Sequence, residues 1–266
     1  MTPAHTSRAH AYFQANTGFS FEQLIAPLDA STAAAAPAGT PLRGGPVYHA
    51  IEQARRHDDA SLPMGAWEHQ LRQADWQRVA GLAAHALTHD SKDLQLAAWL
   101  LQAQVHRTGV DALAPGFSLL QQLCARYWQA LYPADDEHRA NIFRRLNEKL
   151  LPDLRLLPLT SGEPAFALAD WERARRQEQL RQHGGEQVAV DAGPDLAGLA
   201  AAVAATPAAF YLDLQARLDE ALISLDALAG CLDEQFGEDS PSLSALAAVL
   251  QQMRDVAAAA LQARGA

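Results

Sequence analysis

Two histidines, His85 and His89, have the spacing that metal chemistry uses in this 266-residue chain. On a helix, positions four apart share a face, so two imidazoles there can meet one zinc ion. A hydrolytic zinc site of this type also needs a glutamate directly after the first histidine, and Ala86 stands there. No third ligand follows in the sequence. Ten histidines are spread along the chain, so surface or helix-end positions are the favoured reading of the pair.

Other candidates thin out in the same way. Gly44-Gly45 and Gly184-Gly185 lack the lysine and hydroxyl that hold phosphate and magnesium in a phosphate loop. Ser118, Ser224 and Ser244 lie inside helical patterns, without the strand-turn-helix elbow of a serine nucleophile. Asp135-Asp136-Glu137 could attract a cation, yet acids opening a helix explain the run more simply. Arg144-Arg145 and Arg173, Arg175 and Arg176 read as solvated helix faces rather than a patch for an acidic partner. Cys124 and Cys231, the only cysteines, fall in helical patterns as small buried hydrophobes, which suits a reducing cytosol. Lys92 is one of two lysines, with Lys149. Beside Asp93 at a helix start, it is expected to brace neighbouring helices through a polar contact. The residues thus offer no catalytic group, no metal site and no cofactor site, and an enzyme is not expected.

The elements around these residues are helical throughout. Hydrophobic residues make up 49% and charged residues 20%, ordinary for a globular chain. Residues 1–17 lack an apolar stripe and are expected to be poorly ordered. Phe21, Leu24, Ile25 and Leu28 form a short stripe, and Ala30 to Pro41 reads as a surface linker. Val47, Ile51 and Ala54 mark a helix started by Gly44-Gly45-Pro46. Leu71, Trp76, Val79, Ala83, Ala86 and Leu87 mark the next, and Asp90 or Ser91 is expected to cap its successor. From Leu94 to Val105 the chain is apolar on nearly every side, which places that helix at the centre of a bundle. Gly109 ends it. A helix from Leu113 through Trp128 is expected to stop at Pro133, and one opened by Asp135 to close at Pro152 and Pro158.

A polar helix from Ala169 to His183 and an alanine-glycine bridge from Ala189 to Ala205 follow. Two leucine-seamed helices then form an αα-hairpin, Tyr211 to Phe236 and Leu243 to Leu261. Gly237 ends the first, with Ser240 as cap and Pro241 as first residue of the second. The fold class is therefore all-α: a multi-helix bundle, a linker and a long hairpin, divided as 1–17, 18–160, 161–205 and 206–264. Charge follows the same division. Residues 1–160 carry a net −1 and residues 161–266 a net −9. That acidity disfavours nucleic acid and anionic lipid as partners, and no apolar run is long enough for membrane insertion. No secretory signal is evident at the N-terminus. The acidic hairpin also argues for a monomer or weak dimer, not a large ring, for this chain alone.

One ordered set of motifs goes further than composition. Leu42-Arg43 follows Pro37-Ala38-Gly39; Trp67, Trp76, Ser91-Lys92-Asp93-Leu94 and Trp99 come next; then Trp128, Leu131-Tyr132-Pro133 and Pro158-Leu159. Phe236-Gly237 and Ser240-Pro241 close the series. In this order and spacing they resemble the ImpA N-terminal domain of TssA proteins in the bacterial type VI secretion system. Pro41 stands where that family usually has an acid before Leu-Arg. The resemblance implies a cytoplasmic, non-enzymatic scaffold whose partners are secretion baseplate, tube and sheath proteins, and it implies structural roles for these motif residues. A helical adaptor outside secretion, or a histidine metalloprotein, are the alternatives.

Overall fold

The computed structural model describes residues 3–28, 37–56, 73–182 and 193–265. Among them are eleven α-helices and no strand. The centre is α5 (Leu94–Thr108), in which every residue from Leu94 to Val105 except Gln95 is buried. Asp93 is its N-cap and accepts from the Gln95 amide at 2.8 Å, so neither Asp90 nor Ser91 has the expected capping role. Asp90 instead ends the preceding helix, its amide donating to Ala86. Gly109, at φ 62°, closes α5.

Against α5 pack α4 (Trp76–His89), α6 (Leu113–Tyr127) and α7 (Asp136–Arg155). The approach of α6 is close because Gly116 has no side chain. A Cβ there would lie 2.4 Å from Leu101 Cδ1. Helix α6 ends at Tyr127 rather than running to Pro133, and residues 128–135 form a non-helical pass along the bundle. Helix α7 continues through Pro152 instead of closing there. Its neighbours Leu150 and Leu154 are both fully buried, so core contact carries the helix across the missing amide.

Three expectations about linkers also change. Pro3–Thr17 forms α1, held by Phe13 and Ala9, which are almost fully buried. Phe13 stacks on Phe21 of α2 (Phe21–Ile25) at 6.0 Å. Two anchors suffice for packing but make no stripe. Of the stretch read as a surface linker, Ala38 is fully buried and Gly39 bridges to Ser91, while residues 30–36 lie outside the described residues. Within the supposed alanine-glycine bridge, Leu196–Ala205 is a helix, α9, capped by Asp195. Alanine's high helix propensity outweighs the lack of a stripe there.

The remaining elements are α3 (Pro46–Ala54), α8 (Leu168–Gln182) and the hairpin of α10 (Ala208–Phe236) and α11 (Ser244–Gln262). The hairpin lies along α6 and α7, and one hydrophobic core runs through bundle and hairpin together. Gly237, at φ 60°, opens a short 3-10 turn. Pro241 is buried in the loop before α11 and is not its first residue; Ser242 Oγ, not Ser240, meets the Ser244 amide. The turn consumes the residues that a tight hairpin would have left for capping.

Candidate functional site

The three residues Ser91, Lys92 and Asp93 form a non-helical pass between α4 and α5, and all are buried. A buried backbone outside a helix must find its hydrogen bonds elsewhere. Here they come from two distant segments. The Lys92 amide donates to Ala38 at 2.8 Å, and the Thr40 amide to Asp90 at 3.1 Å. On the other side, the Tyr132 amide donates to Lys92 at 3.0 Å and the Leu94 amide to Tyr132 at 2.9 Å. Gly39 is required at this crossing. It has φ 75°, and a Cβ would lie 2.2 Å from the Asp90 carbonyl oxygen.

The side chains extend the node. Lys92 Nζ donates to the carbonyls of Leu24 at 2.8 Å and Leu87 at 2.6 Å. Those carbonyls lie in the last turns of α2 and α4, where the helix leaves acceptors unpaired, so one ammonium serves two helix ends. Burial lowers the Lys92 pKa from 10.5 to about 8. Asp93 receives the Tyr48 hydroxyl at 2.7 Å, and burial raises its carboxyl above the usual range against that hydrogen bond. Tyr48 in turn meets the edge of Trp99 at 4.8 Å, with Arg55 over the same indole at 5.3 Å.

A second polar cluster ties the bundle to the hairpin. The buried Arg139 of α7 donates to the carbonyls of Pro133 and Leu131, both at 2.6 Å, and to Asp136 at 2.9 Å. Its guanidinium lies 4.5 Å over the Trp128 ring, which Phe236 of α10 meets edge-on at 4.9 Å. Arginine on such an arrangement satisfies the backbone of the 131–133 pass and stacks on an aromatic at the same time. Arg139 was not singled out from sequence. Its signal was position: it continues the stripe of Phe143, Leu146 and Leu150 where an apolar residue is expected.

Neither cluster faces a cavity with a nucleophile and a base. Among the described residues no group of three or more histidine, cysteine or carboxylate side chains is placed to hold a metal. His85 and His89 stand with rings 4.6 Å apart, edge-on to Phe19, with Asp90 3.8 Å from His85. The buried Cys124 thiol is pushed up by desolvation, which keeps it protonated and a poor nucleophile. Ser118 and Ser224 meet each other at 3.4 Å between α6 and α10. What these clusters do is bind chain segments together.

Residues 30–148 match a family described as ImpA, N-terminal, type VI secretion system. That match spans the Ser91–Asp93 node, Trp128 and Arg139. Residues 30–148 therefore form an ImpA N-terminal region. Type VI secretion system component TssA1 of Pseudomonas aeruginosa is 39% identical over 87 residues, covering 32% of this chain and 23% of the relative. The aligned part thus spans about a quarter of that relative's length. A solved structure is similar over nearly the whole chain: the N-terminal domain, including the conserved ImpA_N region, of the TssA component of type VI secretion from Burkholderia cenocepacia. It has 28% identity and a TM-score of 0.79, covering 92% of this chain and 95% of that one.

The family motif residues fall into distinct places. Ser91, Lys92, Asp93, Leu94 and Trp99 surround the first node, and Trp128, Pro133 and Phe236 the second. Leu159 is fully buried and its amide donates to Phe166 at 2.7 Å, while Pro158 is exposed beside it. Gly237 and Pro241 shape the hairpin turn. Trp76 stacks flat on His106 at 4.0 Å, and His106 faces Asp153 at 3.1 Å, a link not visible in the sequence. Leu42 is half-buried and Arg43 exposed, and Arg43 lies near enough to the first node for its charge to act on Asp93 and Tyr48. Trp67 lies outside the described residues.

Proposed function

We propose that this chain is a non-enzymatic scaffold component of type VI secretion. It would work in the cytoplasm, associate with the baseplate and help coordinate tube and sheath assembly. The observation that carries this reading is the likeness to a TssA N-terminal domain over 92% of the chain. The buried side-chain chemistry agrees with it. Lys92 and Arg139, the two deeply buried cations among the described residues, spend their donors on backbone carbonyls and a carboxylate of the same chain. Under this reading the motif residues hold the shape, and partners meet the surface. No single described helix is long and apolar enough to cross a membrane.

The test is direct binding. Purified chain is presented separately to purified baseplate, tube and sheath subunits, with retention measured by interferometry. Saturable binding to a baseplate subunit, lost when the chain is unfolded, is the expected result. Absence of binding to all three classes, together with unchanged secretion in a strain deleted for this gene, overturns the proposal.

A further inference from the structure

In α9, composition and setting disagree. Leu196–Ala205 contains no polar side chain, so it has no face suited to water. Yet only Leu199 is buried, and Leu196 is 40% exposed. Ala197, Gly198, Ala200, Ala201, Ala204 and Ala205 are exposed as well. A helix that is apolar all round belongs in a packed interior. Alongside it runs a groove of about 890 Å³ between α8, α9 and α11, with Leu168, Trp171, Val203 and Val256 among its apolar lining.

We propose that α9 and this groove are the contact between two copies of the chain, paired about a two-fold axis. Charge selects that occupant. The C-terminal part carries a net −9, and most self-contacts on it would oppose carboxylates such as Asp213, Asp226, Asp233 and Glu234. Helix α9 is uncharged along its whole length, and the groove's charged lining sets two acids, Glu172 and Asp255, against two arginines, Arg175 and Arg264, so a two-fold pairing there brings no net like charge together. Shape agrees. A two-fold contact must be self-complementary, with knob and hole on one patch. Leu196, 40% exposed, stands on the groove's own rim, and the small residues Ala200 and Ala204 that follow it along the groove let two backbones approach closely.

A membrane surface fits less well. Helices that lie in a bilayer interface carry a polar face rich in lysine and arginine. Helix α9 has no polar face, and Asp195 stands at its N-cap. Size sets the strength of the contact. Ten residues make a helix about 15 Å long and about 10 Å wide, and a strip of that size covers far less than the roughly 800 Å² per partner of a standard stable interface. The dimer is therefore weak and reversible.

Sedimentation velocity on the full chain, from about 1 to 500 μM, tests this. The wild type is expected to shift from monomer to dimer within that range. Ala204→Glu and Leu196→Glu should each raise the dimer dissociation constant about tenfold or more, because each buries a carboxylate twice across the two-fold. Ala245→Glu, on the exposed start of α11 away from the groove, should leave it unchanged. Dichroism and melting confirm that the variants are folded, and the exposed Ala204 serves if Leu196→Glu does not fold. A wild type that stays monomeric to the top of the range overturns the proposal. So does a dimer indifferent to both glutamates, or a wild type that co-sediments with phosphatidylcholine–phosphatidylglycerol vesicles while Ala204→Glu does not.

Discussion

Helices α5 and α9 are both apolar on nearly every side, and the fold treats them in opposite ways. Around α5, helices α4, α6 and α7 close completely, and its glutamines Gln102 and Gln104 find partners in Arg55, Tyr12 and Arg107. Around α9 only the side of Leu199 is covered. All-round apolarity therefore states a need for a partner without saying whether the same chain supplies it. What distinguishes the two is the flanking chemistry. Helix α5 is entered through a pass whose every residue is pinned by other segments, whereas α9 follows residues 183–192, outside the described residues, and is held at its far end by Arg264. That arginine donates to the carbonyls of Val203 and Thr206 and lies 5.1 Å over Tyr211.

The largest effect expected from this contrast is at Trp99. Replacement by alanine should cost about 3–5 kcal/mol, because the indole fills the space between Tyr48 and the α5 core. Tyr48 and Arg55 would lose their ring contacts at the same time. Urea melts followed by dichroism measure this. A cost below about 1 kcal/mol would show that α5 is not the centre of the core and would erase the contrast with α9.

Next comes the node that feeds α5. Lys92→Ala should cost about 2–4 kcal/mol, since it leaves the Leu24 and Leu87 carbonyls without donors and opens a cavity. Lys92→Met fills the space and should cost less, because a buried ammonium carries a desolvation penalty that methionine does not. The difference between wild type and Lys92→Met has a pH signature. The folded-state pKa is depressed from 10.5 to about 8. Between those values the unfolded chain holds a proton that the folded chain has released, so wild-type stability rises with pH relative to Lys92→Met. The rise over the window is about 3 kcal/mol at most. Tyr12, raised by burial to about 12, acts the other way above pH 10 and cancels in the difference. A flat difference from pH 7 to 10.5 would mean that the ammonium is not buried as described.

Much of the helical plan was legible because apolar residues recur at three and four, and because α5 lacks a polar face altogether. The polar nodes were only half legible. Ser91-Lys92-Asp93 stood out as a motif, but the lysine's partners are carbonyls contributed from 68 and 5 residues away. Backbone acceptors leave no trace in side-chain pattern. Arg139 and the Trp76–His106–Asp153 link were missed for the same reason: each depends on which helix ends meet, a tertiary fact. Linkers misled where one or two anchors hold a segment. Phe13 and Ala9 hold α1 and Gly39 holds the 38–40 pass, and none of them forms a repeating stripe.

Two glycines sharpen the difference between node and hairpin. Gly39 and Gly237 both have positive φ, at 75° and 60°. Around Gly237 nothing lies within 4 Å of a would-be Cβ, so Gly237→Ala pays only backbone strain, about 1–3 kcal/mol. At Gly39 the same methyl meets the Asp90 carbonyl oxygen at 2.2 Å and Leu28 Cδ1 at 2.5 Å. Gly39→Ala should therefore cost more than Gly237→Ala by at least about 1 kcal/mol, as the hydrogen bonds to Ala38 and Asp90 open. Equal melting shifts for the two variants would show that the node yields more easily than its contacts suggest.

The smallest effect is expected in α9 itself, and it closes the comparison. Ala204→Glu places a carboxylate on an exposed position of a helix whose only buried residue is Leu199. Surface substitutions away from packed or paired groups change stability by about 0.5 kcal/mol or less. A glutamate near a helix C-terminus adds a small unfavourable interaction with the dipole, a few tenths of a kcal/mol, and Arg264 at the end of α9 offsets part of it. Melts at low micromolar concentration, where the proposed dimer is dissociated, should show almost no shift. The equivalent change in α5, Ala97→Glu, would bury an uncompensated charge at a fully buried site and should prevent folding at neutral pH. If Ala204→Glu at low concentration cost several kcal/mol, α9 would be packed within its own chain, and its exposed apolar face would need no second copy to explain it.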